Sequence, residues 1–222
     1  MASAEPFTSW GLGWKLSWVR VAKYKQRRQL YGRFADKLKQ GGALDALKNG
    51  ACTALSFAWI TSHKANPKQA PVDRLESFNS DADFLNHQAT AKYFNTHGGT
   101  YAARVALAAN HTLGTVRADV VNMTEANMAT FNGAVAHLDK YPGYHMVLMD
   151  ITNFATNHVF AVYANDDEMI VFDPNFGEFT VANANRGAFF VNLKSQYETY
   201  VNKDNVKTKL EFDNGWDFNY LP

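Results

Sequence analysis

The spacing of apolar residues changes partway along the chain. Up to about residue 112 they recur every three or four positions, the helical period; beyond Thr115 they gather into short runs rich in β-branched and aromatic residues. Trp14, Trp18, Val21 and Ala22, followed by Leu30, Phe34 and Leu38, predict one or two helices over 14–39, ended by Gly41-Gly42. A further helix is expected to start at Asn49 or Gly50 and to stop at Asn66-Pro67. It carries Cys52, Leu55, Ser56, Trp59 and Ile60 on one buried face, with Cys52 at the rim of that face. More helix is expected over 73–112, broken at His97-Gly98-Gly99. Strands are then expected over 116–121, 144–151, 158–164, 169–172, 178–182 and 206–212, with a hairpin turn at Asn165-Asp166-Asp167. A late helix over 188–200 puts Phe189, Phe190, Leu193 and Tyr197 on one side. Helices first and antiparallel strands afterwards make an α+β fold.

Composition narrows the class. The chain has 222 residues, enough for one large domain or a domain with an appendage. Apolar residues at 46% against 19% charged exclude a disordered chain. No run approaches the roughly 18 to 20 apolar residues of a membrane span. Lys15 and Arg20 interrupt the apolar residues near the N-terminus before a signal-peptide core could form, so export, if any, is expected to bypass the Sec route. A single cysteine rules out an internal disulfide framework and suits a reducing compartment. CxxC, HExxH, EF-hand and phosphate-loop patterns are all missing from the sequence, so neither a metal nor a cofactor is expected.

The net charge of +1 conceals an asymmetry. Nine of the 22 basic residues lie within 15–39 beside one acid, Asp36, leaving 13 basic and 19 acidic residues from position 40 onward, a net of −6. The sequence therefore divides into a basic, aromatic and helical arm over 1–40 and a main domain over 41–222, to which the candidate chemistry below belongs. In the arm, Trp14 and Trp18 lie one helical turn apart near Arg27-Arg28. Packing of these indoles on the domain is the preferred reading. Docking to an anionic membrane surface or a partner is the alternative, because indoles and cations together suit a headgroup layer. Nucleic acid is not expected as a partner, since the acidic body would repel a phosphate backbone.

Cys52 carries the chemistry. It sits where Asn49-Gly50 meets an apolar helix, and the unpaired amides and positive dipole end of a first helical turn stabilise a thiolate. An inert core cysteine is the competing reading. A thiolate nucleophile needs a base, and imidazole titrates in the right range. Among seven histidines, His158 opens a strand hairpinned to another ending in Asp173, with residue 158 expected opposite 173 or 174. Asp173 can then orient the ring. His145, with Asp150 five residues on, is the rival pair. The Cys52 amide, helped by the side chain of Asn49, is the expected oxyanion donor set.

Three blocks, Gly50-Ala51-Cys52-Thr53-Ala54-Leu55 with Trp59, His158-Val159-Phe160-Ala161, and Phe172-Asp173-Pro174-Asn175-Phe176-Gly177-Glu178-Phe179, resemble the YopT/AvrPphB family of bacterial effector cysteine proteases, a branch of the papain-like superfamily. The resemblance implies a papain-like α+β fold with Cys52, His158 and Asp173 as the triad. It also implies a virulence effector that leaves its bacterium without a Sec signal and cleaves a host protein in the host cytosol. Glutamine deamidation or acyl transfer would use the same three residues. A non-catalytic membrane- or partner-binding module is the reading from another class.

Overall fold

In a computed structural model the described residues are 18–25, 51–96, 98, 100, 103–105, 107–108, 120–122, 131–149, 158–198 and 216–221. They build one antiparallel sheet with helices on both faces. Its strands are β1 (Trp18–Lys23), β2 (Val120–Asn122), β3 (Gly143–Met149), β4 (His158–Ala164), β5 (Glu168–Asp173), β6 (Gly177–Ala182) and β7 (Trp216–Leu221), in the spatial order β1-β6-β5-β4-β3-β7-β2. The helices are α1 (Ala51–Ala65), α2 (Pro71–Ser77), α3 (Asp81–Thr96), α4 (Asn132–Lys140) and α5 (Arg186–Glu198).

The local reasons are chemical. Helix α1 has no glycine or proline inside and ends one residue before Asn66-Pro67, as expected. Pro71 supplies a preset first turn for α2. Ser80 and Asp83 form a reciprocal cap at the start of α3, the Ser80 hydroxyl bonding the Asp83 carboxylate and accepting from the Asp83 amide at 3.1 Å. At the β4–β5 turn the Asn165 side chain accepts from the amides of Asp167 at 2.8 Å and Glu168 at 2.9 Å.

Both faces of the central strands are covered, which explains their uninterrupted apolar runs. Along β4, Val159 and Ala161 face a core shared with Leu55, Trp59, Ile60, Phe78 and Phe94 from α1 to α3. Phe160 and Val162 face a second core with Leu138, Phe189, Phe190, Leu193 and Phe218, closed by α4 and α5. Helix α1 is sandwiched between sheet and α3, so Ala51, Thr53, Ala54, Leu55, Ser56, Phe57, Trp59, Ile60 and His63 are all buried. The single buried face read from its sequence is thus too narrow.

Residues 18–23 correct the sequence reading outright. They form β1, not helix, paired antiparallel with β6 from Trp18↔Val181 to Lys23↔Gly177. The register slips between Arg20 and Ala22, leaving Val21 as an extra, bulged residue. That bulge switches faces: Trp18 packs in the second core, whereas Ala22 and Tyr24 pack in the first. A four-residue spacing that resembles a helical stripe therefore belongs to two faces of a bulged strand. Residues 26–50, including the rest of the expected arm helix, lie outside the described residues, as does the expected strand over 206–212.

Candidate active site

Three elements meet where β4 begins and β5 ends. Cys52 is the second residue of α1, His158 the first of β4 and Asp173 the last of β5. Helix α1 is tied to β4 beside this point by the Ser56 hydroxyl, which donates to the Val159 carbonyl at 3.4 Å. The β4–β5 register, Ala161↔Phe172 with Val162↔Val171, extrapolates to Asp173 opposite Phe160 rather than opposite residue 158. The expected pairing was therefore out of step. The two side chains still meet, because residues 158 and 160 point to the same face and the contact is diagonal.

His158 Nε2 donates to Asp173 Oδ2 at 3.1 Å, which leaves Nδ1 for the thiol. Asp173 is 0% exposed and takes further bonds from the Asn175 amide at 2.7 Å and from the Tyr197 hydroxyl, 2.9 Å from each carboxylate oxygen. The Tyr197 ring lies 4.9 Å from the imidazole. Tyr197 was legible only as one of the apolar positions of α5; a buried phenol that must find a hydrogen-bond partner was the available signal.

Burial alone would hold His158 neutral, but the charge and hydrogen bond of Asp173, with those of Cys52, outweigh it and push the imidazole up to about 10. Burial pushes the Cys52 thiol up; the hydrogen bond and charge of His158 and the backbone bonds at Val159 and Thr53 bring it below its ordinary value. Cys52 nonetheless keeps part of its surface exposed. Both shifts act in the direction of a thiolate facing an imidazolium.

His145 is a different kind of group. It is 0% exposed, bonds the Tyr141 carbonyl at 2.9 Å and lies 5.2 Å from the His137 ring. Burial holds it neutral, with a pKa near 3. Asp150, Asn49, Trp14, Arg27 and Arg28 lie outside the described residues. Trp18, expected to pack on the domain or, as the alternative, to dock to a surface or partner, is only 6% exposed and packs edge-on against Phe189 at 5.7 Å, so it is a core residue. Among the described residues no group of three or more His, Cys, Asp or Glu could hold a metal ion, and no helix is long and apolar enough to cross a membrane.

The rest of the 172–179 block fixes architecture. Gly177 has a φ of +113°, and a Cβ there would collide with the Ala22 carbonyl oxygen and lie 2.8 Å from the Tyr24 amide nitrogen. Glu178 turns to the opposite face of the sheet, where Arg74 grips it at 2.7 and 2.8 Å and Trp59 Nε1 donates at 2.7 Å.

The chain has a known counterpart in fold. The crystal structure of the Pseudomonas avirulence protein AvrPphB superposes with a TM-score of 0.62 at 13% identity, covering 79% of this chain and 93% of that one. The cysteine protease-like domain PatoxP of the Photorhabdus asymbiotica toxin PaTox aligns with a TM-score of 0.27 at 17% identity over 86% of this chain and 64% of its own. No curated protein sequence matches. AvrPphB shares the α+β, papain-like architecture expected from the sequence. The sequence profile of peptidase family C58, the Yersinia/Haemophilus virulence surface antigen, matches residues 21–211, so the chain belongs to that family of YopT/AvrPphB-like cysteine proteases.

Proposed function

We propose that this protein is a thiol protease acting through Cys52, His158 and Asp173. The observation that carries the reading is the chain of contacts from the partly exposed Cys52 thiol through buried His158 to buried Asp173. The thiolate attacks the scissile carbonyl carbon, and the developing oxyanion accepts from the Cys52 amide in the first turn of α1, with Asn49 as the proposed side-chain donor. The His158 imidazolium gives its proton to the departing amine as the C–N bond breaks. Neutral His158 then takes a proton from water, whose oxygen attacks the thioester. Collapse releases the carboxylic acid and restores the thiolate–imidazolium pair. Asp173, bonded to Nε2, keeps Nδ1 aimed at sulfur.

Membership in a family of virulence proteins supports a host protein as substrate, reached in the host cytosol. The test is mass spectrometry of a host-cell lysate incubated with the wild-type protein or with Cys52→Ala. New peptide termini that depend on Cys52 are expected. Glutamine-to-glutamate changes or acylated side chains without new termini would replace proteolysis by deamidation or acyl transfer.

A further inference from the structure

The carboxylate that orients His158 is itself held by a second layer. Asp173 is fully buried, and its side chain accepts from the Asn175 amide, the Tyr197 hydroxyl and His158 Nε2. Among the described residues no Lys or Arg side chain pairs with it. The two donors other than His158 are neutral.

Tyr197 comes from α5, on the far side of the second core from α1, and contacts on several sides fix it. Its ring lies 4.9 Å from the imidazole, inclined by 38°, and Phe176 packs edge-on at 5.2 Å. Asn175 Nδ2 donates to the phenol oxygen at 3.0 Å, so the phenol's own proton is left to point at Asp173. Burial first, and the Asp173 charge second, keep the phenol protonated and hence a donor. Asn175 thus bonds the carboxylate with its backbone and the phenol with its side chain. Phe176 in turn has its amide on the Asp173 carbonyl at 3.1 Å. Asp173, Asn175 and Phe176 form one turn folded around the Tyr197 ring.

We propose that Tyr197 is a positioning residue of this site, its hydroxyl locking the Asp173 carboxylate against rotation so that Oδ2 stays on His158 Nε2. The proposal rests on the triad reading above. The physical point is the neutrality of the lock. A cation in that place would hold the carboxylate equally well and cancel the charge that His158 depends on, whereas a phenol and an amide satisfy the lone pairs and leave the charge in place. Without the hydroxyl, a buried carboxylate is one donor short and free to turn about its last bond. The imidazolium then loses its partner for part of the time.

The test is an NMR titration of the ring resonances of isotopically labelled histidine in the full chain, with His158 assigned by comparison with His158→Ala. In the wild type His158 is expected to titrate far above the ordinary 6.5. Tyr197→Phe, which keeps the ring and removes only the hydroxyl, is expected to lower that pKa by about one unit, since one hydrogen bond to an ionised group is worth roughly a pKa unit. Asn175→Ala, which frees the phenol to rotate, is expected to give a smaller shift of the same sign. A residue that merely fills space would change the melting temperature and leave the titration where it was. Tyr197→Phe titrating at or above the wild-type value overturns the proposal, and if that variant fails to fold, Asn175→Ala decides by the same criterion. A wild-type His158 near 6.5 defeats the triad electrostatics, and Tyr197 with them; a raised wild-type value with an unmoved Tyr197→Phe defeats the role of Tyr197 alone.

Discussion

Asp173 and Glu178 are five residues apart in one hairpin, at most 1% exposed, and compensated in opposite ways. Glu178 faces α1 and α2 and meets Arg74, a guanidinium with 1% exposure that also donates to the Gln69 carbonyl at 2.9 Å. Asp173 faces α5 and meets a phenol, an amide and one titratable imidazole. The first arrangement cancels a charge in order to knit α2, α1 and β6 together. The second preserves a charge and spends it on a histidine. A buried carboxylate thus declares its role through its partners, and a permanent cation among them marks the architectural one.

Removing each charge should separate the two roles. Asp173→Asn is expected to lower peptide hydrolysis by about 10⁴-fold, because the amide supports the wrong imidazole tautomer, while the melting temperature changes little. His158→Ala should be as inactive. His145→Ala should keep most of the activity, since that ring points from β3 toward α4, beside His137, with the Tyr141 carbonyl as its partner. Hydrolysis rates with folding checked by circular dichroism decide this; an inactive but folded His145→Ala would move the base to the wrong strand.

At the other carboxylate the effect is on stability. Arg74→Ala leaves Glu178 buried with Trp59 as its remaining side-chain donor, and is expected to cost about 3–5 kcal/mol, or roughly 10 °C in thermal melting. The folded fraction should still alkylate at Cys52 as the wild type does. Replacing both partners, Arg74→Met with Glu178→Leu, should recover most of that loss, because a buried ion pair can be exchanged for apolar contact. No such exchange is expected to rescue Asp173. Equal loss of thiol reactivity in Arg74→Ala would erase the distinction.

How far the sequence shows these roles depends on the residue. Asp173 and His158 could be paired because a hairpin with an Asn165 turn limits which residues meet, even though the register was misjudged by one or two positions. Strands β3 to β6 and helix α5 were legible because their apolar runs are long and bounded by turn residues. Helix α4 was not, since its buried stripe is short, Ala134, His137 and Leu138, and carries a glycine. Strand β7 hides its alternation in six residues, with Trp216 and Phe218 buried on one face and Asn219 buried while bonding the Met146 carbonyl at 3.2 Å. β1 was taken for helix because its bulge imitates a four-residue period. Tyr197 could be seen as buried, but its hydroxyl's partner lies 24 residues away in sequence, and only the fold brings them together.

The charge retained at Asp173 has to show itself at sulfur. An ordinary thiol of pKa about 8.5 is less than about 1% thiolate at pH 6. A thiolate held by an imidazolium is far more populated, though each such thiolate is intrinsically a weaker nucleophile, so the expected gain is on the order of tenfold. Iodoacetamide at pH 6 should therefore modify Cys52 about ten times faster than free cysteine in the wild type, and lose that advantage in His158→Ala. A wild-type rate no greater than that of free cysteine would contradict an activated Cys52–His158–Asp173 site.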